Sequence, residues 1–278
     1  MTGIVDVGGG TRGIYGAGAF DYFLDHGITF DYMIGVSAGS ANGVSFQAGQ
    51  RGRNYRFYDR YAFRKEYMSM GNLLRRGSYV DLDYIYGALS NSDGEDPVDY
   101  EAFMANPAEL IIVATDARTG KPAYFSKKDM QKDRYEFLKA SSCVPVVCRP
   151  YPIGRRSYYD GGISDPIPFQ KALDAGCDRV VIILTRPKLV PRTPGKDAAF
   201  ARLLKRRYPA AARALAARCA TYNRSLERAL ALEAEGKALI LAPDDISGLK
   251  TLSQDHGKLE ALYRKGYADA ASVPAFLN

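Results

Sequence analysis

Residues 2–40 read TGIVDVGGGTRGIYGAGAFDYFLDHGITFDYMIGVSAGS, and this stretch decides the fold class. Residues 4–7 form a short β-type run that stops at three glycines. Residues 14–25 carry apolar side chains at helical spacing, with Gly27 just beyond them, as is common at helix C-termini. Residues 30–35 predict a second strand, which leads into Ser37 and a helix of small residues. This order predicts a parallel βαβ unit and an α/β fold.

The remainder of the chain predicts more buried strands and then a helical end. Residues 110–115 and 179–185 are strongly apolar, as buried parallel strands are. Residues 186–195 are rich in proline and charge, which is typical of a linker. Beyond this boundary, helix-forming residues dominate, with one short β-type run at 238–242. We therefore predict a catalytic domain at 1–190 and a mainly helical C-terminal extension at 191–278, with helices at 198–235 and 249–271.

The composition is that of a globular protein. The 278 residues are 46% hydrophobic and 25% charged, and none of their apolar runs is long enough to span a bilayer. The N-terminus lacks a secretory pattern, so we predict a cytoplasmic location, although export by another route stays open. Four cysteines, without a CxxC pair or a cluster with histidine, predict buried free thiols, no metal site and no cofactor.

Basic residues are concentrated in two runs of a chain whose net charge is +7. The first run interleaves its arginines with aromatic residues: Arg51, Arg53, Arg56, Arg60 and Arg64. The second spans residues 202–218. Such a pattern predicts weak, salt-sensitive attachment to anionic lipid at the inner membrane surface. The alternative is a solvated helical face whose aromatic residues turn to the core. We expect no nucleic-acid partner, and the sequence does not predict the oligomeric state.

Residues 35–39 read GVSAG and match G-x-S-x-G where a strand turns into a helix. Gly35 and Gly39 allow the sharp turn of a nucleophile elbow, which would expose the Ser37 hydroxyl. The N–H of Ala38 would then lie at a helix N-terminus, where negative charge is favoured. The alternative is a chance match in a turn rich in glycine and serine.

Residues 8–13 read GGGTRG and admit two interpretations. Such a loop after a strand suits a dinucleotide cradle, but that fold needs an acidic residue about twenty positions later. At that place the chain has Gly35 and the serine turn. An acyl hydrolase would instead use the backbone N–H groups of this loop to hold an oxyanion.

Asp160-Gly161-Gly162 follows another β-type run. The two glycines allow the backbone to approach closely, which would leave the carboxylate facing a neighbouring side chain. The alternative is an ordinary aspartate in a turn.

Taken in this order, the three motifs resemble those of the patatin-like phospholipase family, and residues 140–145 (ASSCVP) resemble its A-S-x-x-x-P segment. The resemblance covers about residues 3–185. It implies a three-layer α/β/α sandwich around a mainly parallel sheet, a Ser37–Asp160 dyad, and an acyl ester or phospholipid substrate. The oxyanion site that it implies comprises Gly8, Gly9, Gly10, Arg12, Gly13 and Ala38. Many members carry an acid at the position of Val7, whereas the acid here is Asp6, which we expect to affect loop support more than chemistry.

Two other functions are compatible with parts of the pattern. His256 comes late enough to complete a Ser-His-Asp triad, but α/β-hydrolases place several strands before their nucleophile. His26 lies at a predicted helix end, where we expect a structural role. A phosphate-binding protein could use the glycine loop without any hydrolase activity.

Overall fold

The computed structural model describes residues 1–278, and its centre is one eight-stranded sheet. Strands β3, β2, β1, β7 and β8 lie side by side and are parallel, while β4, β5 and β6 add antiparallel pairs. In chain order the strands are β1 (Thr2–Asp6), β2 (Tyr32–Val36), β3 (Glu109–Asp116), β4 (Pro122–Ser126), β5 (Tyr151–Ile153), β6 (Arg156–Asp160), β7 (Arg179–Ile183) and β8 (Ala238–Leu241).

Helices cover both faces of this sheet. They are α1 (Ile14–Asp25), α2 (Ala38–Gln47), α3 (Arg53–Asp59), α4 (Met70–Arg76), α5 (Tyr100–Ala105), α6 (Glu136–Ser141), α7 (Phe169–Asp174), α8 (Asp197–Leu204), α9 (Pro209–Ala234), α10 (His256–Asp269) and α11 (Val273–Leu277). Short 3₁₀ turns lie at Gly10–Gly13, Tyr61–Phe63, Lys127–Asp129, Gly161–Ile163 and Ala270–Ser272, and one π-helical turn lies at Tyr84–Leu89.

Alternate residues of the central strands point into two separate cores. Ile4 packs in the larger core, with residues of α1, α2 and α10, whereas Val5 packs in the smaller core, with residues of α7 and α9. Strands buried on both faces need apolar side chains at nearly every position, which explains their continuous apolar runs. The predicted three-layer arrangement with a helical C-terminal region is therefore confirmed.

The pairing of β3 brings two distant segments together. Val113 of β3 pairs with Val36 at the end of β2, and the next residue, Ala114, pairs with Asp160 at the end of β6. Strand β4 pairs with β3 alongside both of them and so occupies the opposite edge. Strands β2 and β6 thus follow one another along the same edge of β3. Their ends meet where the chain turns at Ser37.

The C-terminal region differs in detail from the sequence prediction. The predicted helix at 198–235 is two helices, α8 and α9, because the chain breaks before Pro209, which begins α9. Residues 249–255 are not helical, and α10 begins only at His256, where the Asp255 side chain accepts the N–H of Lys258. The predicted strand is confirmed as β8, which pairs with β7. The domain boundary at residue 190 stays a prediction.

Ion pairs neutralise much of the first basic run. Arg53 and Arg56 both pair with Asp96, and Arg51 and Arg64 pair with Asp25 and Glu95. Of the aromatic residues between them, Tyr58 and Tyr61 are buried in the larger core. The charge that an anionic surface would meet is therefore smaller here than the sequence indicates, and membrane contact stays a prediction. None of the helices has the length and apolar character needed to cross a membrane.

Candidate active site

Ser37 lies in a strained turn between β2 and α2, with a positive φ of 56°. Small neighbours make this turn possible. A Cβ added to Gly39 would lie 2.2 Å from the carbonyl oxygen of Asp6, and one added to Gly35 would lie 2.3 Å from the Cα of Ser40. A positive φ at a residue other than glycine is costly and persists where the surroundings enforce it. The geometry is that of the nucleophile elbow that the GVSAG motif predicts.

The Ser141 side chain stabilises this turn by hydrogen bonds. Its hydroxyl accepts the backbone N–H of Ser37 at 2.8 Å, lies 3.0 Å from the Ser40 hydroxyl and donates to the carbonyl of Val113 at 2.6 Å. One buried side chain thereby ties the elbow to β3. Sequence reasoning missed this role, and its only signal was the place of Ser141 within the ASSCVP segment.

Asp160 ends β6 and is held beside Ser37. Its own N–H donates to the carbonyl of Cys143 at 2.8 Å, and its carboxylate accepts the N–H of Gly162 at 2.8 Å. A Cβ added to Gly161 would lie 2.2 Å from the carbonyl oxygen of Val113, so glycine is required at this close approach. The Asp160-Gly161-Gly162 turn therefore orients the Asp160 carboxylate through a backbone hydrogen bond.

The carboxylate of Asp160 and the hydroxyl of Ser37 line one cavity, and both residues are buried. Burial raises the pKa of Asp160 above its ordinary value. The positive charge of Arg218 and the hydrogen bond from the Gly162 N–H oppose this rise.

The glycine loop follows β1 and depends on Asp6. Gly8, Gly9 and Gly10 all have positive φ, at 61°, 131° and 63°. The Asp6 carboxylate accepts the N–H of Gly8 at 2.9 Å and the side-chain amide of Asn42 at 2.8 Å. Burial raises the pKa of Asp6 to about 6. Asp6 therefore supports the loop from the position before Val7.

The loop residues differ in what they offer to a bound group. The N–H of Gly8 is occupied by Asp6, whereas those of Gly9, Gly10 and Ala38 have no acceptor in the protein. Arg12 also lines the cavity. Gly13 does not line the cavity, and its carbonyl accepts the amide of Asn42 at 3.0 Å.

The cavity has a volume of about 270 Å³ and two chemically different groups of lining residues. One group is apolar and comes mainly from residues 57–86 and 144–148: Phe57, Tyr67, Val80, Tyr86, Val144 and Val147. The other is cationic: Arg12, Arg186, Arg192 and Arg218. The sequence did not single out the last three as site residues.

Neither histidine lines this cavity. His256 lies 3.3 Å from Asp59 and stacks on Phe63 with ring centroids 3.7 Å apart. His26 contacts the carbonyl of Tyr22 and stacks on its ring. A triad through His256 therefore lacks its histidine at the site. No group of three or more acidic, cysteine or histidine side chains converges as metal ligands would, and all four cysteines are buried free thiols.

Comparison with known proteins identifies the family. The family model of the patatin-like phospholipases matches residues 7–173, which include the glycine loop, the elbow and Asp160. The chain belongs to the patatin-like phospholipase family. A second match covers residues 208–273 and corresponds to a domain of unknown function (DUF6363).

Two further proteins are similar to this chain. The uncharacterized protein YjjU of Escherichia coli (strain K12) is 29% identical over 193 residues, which cover 69% of this chain and 54% of YjjU. The chain thus spans about half of the length of that relative. The crystal structure of VipD from Legionella pneumophila superimposes with a TM-score of 0.50 at 14% identity, covering 98% of this chain and 66% of that chain. At this identity the likeness concerns the fold alone.

The region that matches the domain of unknown function contributes to the same cavity as the patatin-like motifs. Leu215, Arg218 and Tyr222 of α9 line it, and so do Thr251 and Leu252 before α10. The carbonyl of Thr251 also accepts the N–H of Thr11 at 2.8 Å, which ties this region to the glycine loop.

Proposed function

We propose that this protein is a serine acyl hydrolase that cleaves carboxylic esters through a Ser37–Asp160 dyad. The observation that carries the proposal is the meeting of β2 and β6 along one edge of β3. It brings a serine in a strained turn and a buried carboxylate into the same cavity. A nucleophile within reach of a base is the arrangement that acyl transfer requires.

The proposed reaction begins with transfer of the Ser37 proton to Asp160. The serine oxygen attacks the ester carbonyl, and the N–H groups of Gly9, Gly10 and Ala38 hold the oxyanion of the tetrahedral intermediate. Asp160 returns the proton to the leaving alcohol, which gives an acyl-enzyme. Asp160 then activates a water molecule that releases the carboxylic acid.

The surroundings of Asp160 suit a general base. A carboxylate of ordinary pKa is a weak base toward a serine hydroxyl, and a base works best when its pKa lies near the working pH. Burial raises the pKa of Asp160 in that direction. The apolar lining residues would receive the acyl chain.

A fluorophosphonate probe tests this function directly. We expect the probe to label the wild-type protein once, at Ser37, with the adduct located by mass spectrometry of tryptic peptides. Labelling should be lost in Ser37→Ala and retained in Ser225→Ala, in which the altered serine lies on α9. A protein that only bound phosphate through its glycine loop would not react, so absence of labelling in folded protein would exclude the hydrolase.

We also propose that the protein works in the cytoplasm and binds weakly to the inner membrane surface through α4. Met70 and Leu74 of this helix are 60% and 82% exposed, and α4 lies between the cavity residues Tyr67 and Val80. Exposed Lys65 and Arg75 flank them without an ionic partner, unlike neighbouring Arg64 and Arg76. Such cations contribute about 1 kcal/mol each at an anionic surface.

Liposome co-sedimentation tests the membrane proposal. The double variant Lys65→Glu/Arg75→Glu should bind anionic vesicles about 10-fold or more weakly than wild type, since two attractive charges become repulsive. The control Arg224→Glu/Arg228→Glu makes the same change in charge on α9 and should bind as wild type does. Equal binding of wild type to neutral and anionic vesicles, or binding unaffected by high salt, would contradict the proposal.

A further inference from the structure

Positive charge exceeds negative charge inside the active-site cavity. Its lining includes four arginines and only two carboxylates, those of Asp160 and Asp197. With all six groups ionised, four positive and two negative charges leave an excess of two positive charges. Buried charges are costly unless they are paired, so an excess of this kind calls for an anion.

The contacts of the arginines show where this excess lies. Arg192 pairs with Asp197 at 3.2 Å, and Arg218 reaches the same carboxylate only at 3.9 Å. Arg218 also donates to the carbonyl of Gly162 at 2.9 Å. Arg12 donates to the carbonyl of Leu249 at 3.3 Å, and neither it nor Arg186 has a carboxylate partner. Arg192 and Arg218 thus share the Asp197 carboxylate, while Arg12 and Arg186 have no carboxylate partner.

Some donors in the cluster have no acceptor at all. The Nε atoms of Arg12 and Arg192 are buried and make no hydrogen bond. Arg12 as a whole is only 5% exposed. A buried donor without an acceptor costs free energy, and a bound oxyanion would remove that cost. Burial and mutual repulsion also lower the pKa of Arg12, to about 9, and those of Arg186 and Arg218.

We propose that Arg12, Arg186, Arg192 and Arg218 form a subsite for a phosphate monoester on the substrate, beside the ester that Ser37 attacks. This proposal rests on the proposed function and names the substrate class: an acyl ester whose alcohol part carries a terminal phosphate. The net charge of two matches a phosphate dianion. The cluster offers no spare carboxylate for a cationic headgroup such as choline.

The volume of the cavity and the chain segments that supply its arginines narrow the substrate class further. A cavity of about 270 Å³ is slightly smaller than most ligand sites, which favours a single acyl chain. Arg186 and Arg192 follow β7, and Arg218 belongs to α9. The region of unknown function therefore supplies one of the four arginines, and the patatin-like match supplies Arg12 together with Ser37 and Asp160.

Three substrates with the same acyl ester test the substrate class: oleoylglycerol phosphate, oleoylglycerol and oleoylglycerophosphocholine. Each is assayed with wild-type enzyme for release of oleate. We expect kcat/KM for the phosphate monoester to exceed that for the other two by about 10-fold to 100-fold, because charge-assisted hydrogen bonds to a phosphate are stronger than neutral ones. Equal values for the phosphorylated and the neutral ester would overturn the proposal.

Variants assign the preference to the cluster. Arg186→Gln and Arg192→Gln should each reduce the ratio of kcat/KM for oleoylglycerol phosphate to that for oleoylglycerol by about 10-fold. The matched control Arg206→Gln changes an exposed arginine outside the cavity and should preserve the ratio. An unchanged ratio in both cavity variants would overturn the assignment of these residues.

A binding measurement separates this proposal from the proposed function. Inorganic phosphate should raise the melting temperature of Ser37→Ala, and the added variant Arg186→Gln should abolish that rise. Phosphate binding without any preference for the phosphorylated ester would indicate a site for free phosphate and overturn the substrate class. Ester hydrolysis with neither preference nor phosphate binding would overturn the subsite alone. Absence of hydrolysis of every ester would instead refute the proposed function.

Discussion

Replacing Ser37 by alanine abolishes hydrolysis of a p-nitrophenyl acyl ester, with turnover reduced by about 10⁴-fold or more. The reason is that Ser37 is the hydroxyl that a strained turn holds in the same cavity as the buried Asp160. The hydrogen bond from the Ser37 N–H to Ser141 is made by the backbone and survives the substitution. The variant should therefore fold as wild type does, which circular dichroism and thermal melting check.

Ser142→Ala is the matched control for this substitution. Ser142 also lines the cavity, but its hydroxyl lies 3.1 Å from that of Tyr86 and is not held in a strained turn. We expect this variant to lose less than about 10-fold in turnover, because it removes a single neutral hydrogen bond. Activity of Ser37→Ala above a few per cent in a clean preparation would refute the assignment of the nucleophile.

The substitution Asp160→Asn is expected to reduce turnover by about 10³-fold to 10⁴-fold, because an amide keeps the shape but cannot accept the serine proton. The asparagine oxygen can still accept the N–H of Gly162, so the turn is preserved. In the wild-type enzyme, kcat/KM should rise with pH through the raised pKa of Asp160, since only the ionised form acts as a base. The residual activity of Asp160→Asn should lack this rise.

Two further measurements test a merely structural role for Asp160 and a triad through His256. The folded protein disfavours the ionised form, so any stability linked to this group is present at low pH and lost as pH rises through its raised pKa. Asp160→Asn should therefore be at least as stable as wild type at neutral pH, although it is inactive. His256→Ala should retain most activity, because His256 does not line the cavity. Loss of activity in His256→Ala to the level of Ser37→Ala would favour a triad instead.

Local patterns in the sequence were sufficient for much of the fold and for the candidate dyad. The predicted bounds of α1 match the structure, because helical periodicity and Gly27 mark both its spacing and its end. The central strands also lie at the predicted apolar runs. A parallel sheet is buried on both faces, so its strands are marked in the sequence by continuous apolar residues. The three motifs were visible for the same reason: each lies where a strand ends and glycines permit a turn.

The tertiary structure alone decided the surroundings of these motifs. The support of the elbow by Ser141 depends on hydrogen bonds between segments about one hundred residues apart, for which local spacing carries no signal. The ion pairs of Arg53 and Arg56 with Asp96 likewise join distant segments and remove charge that the sequence shows as free. The break before α9, by contrast, does have a local signal, because Pro209 favours the first turn of a helix.

The cationic group of lining residues shows most clearly which features the sequence determines and which depend on the tertiary structure. By itself, the sequence determined the α/β fold class, the turn around Ser37 and the glycine loop, because each follows from the periodicity and turn chemistry of neighbouring residues. It offered no reason to connect Arg186, Arg192 and Arg218 with that turn. These arginines line the same cavity as Asp160 only because β7 joins the central sheet and α9 packs on it. Such a shared cavity depends on contacts between segments that are far apart in the chain.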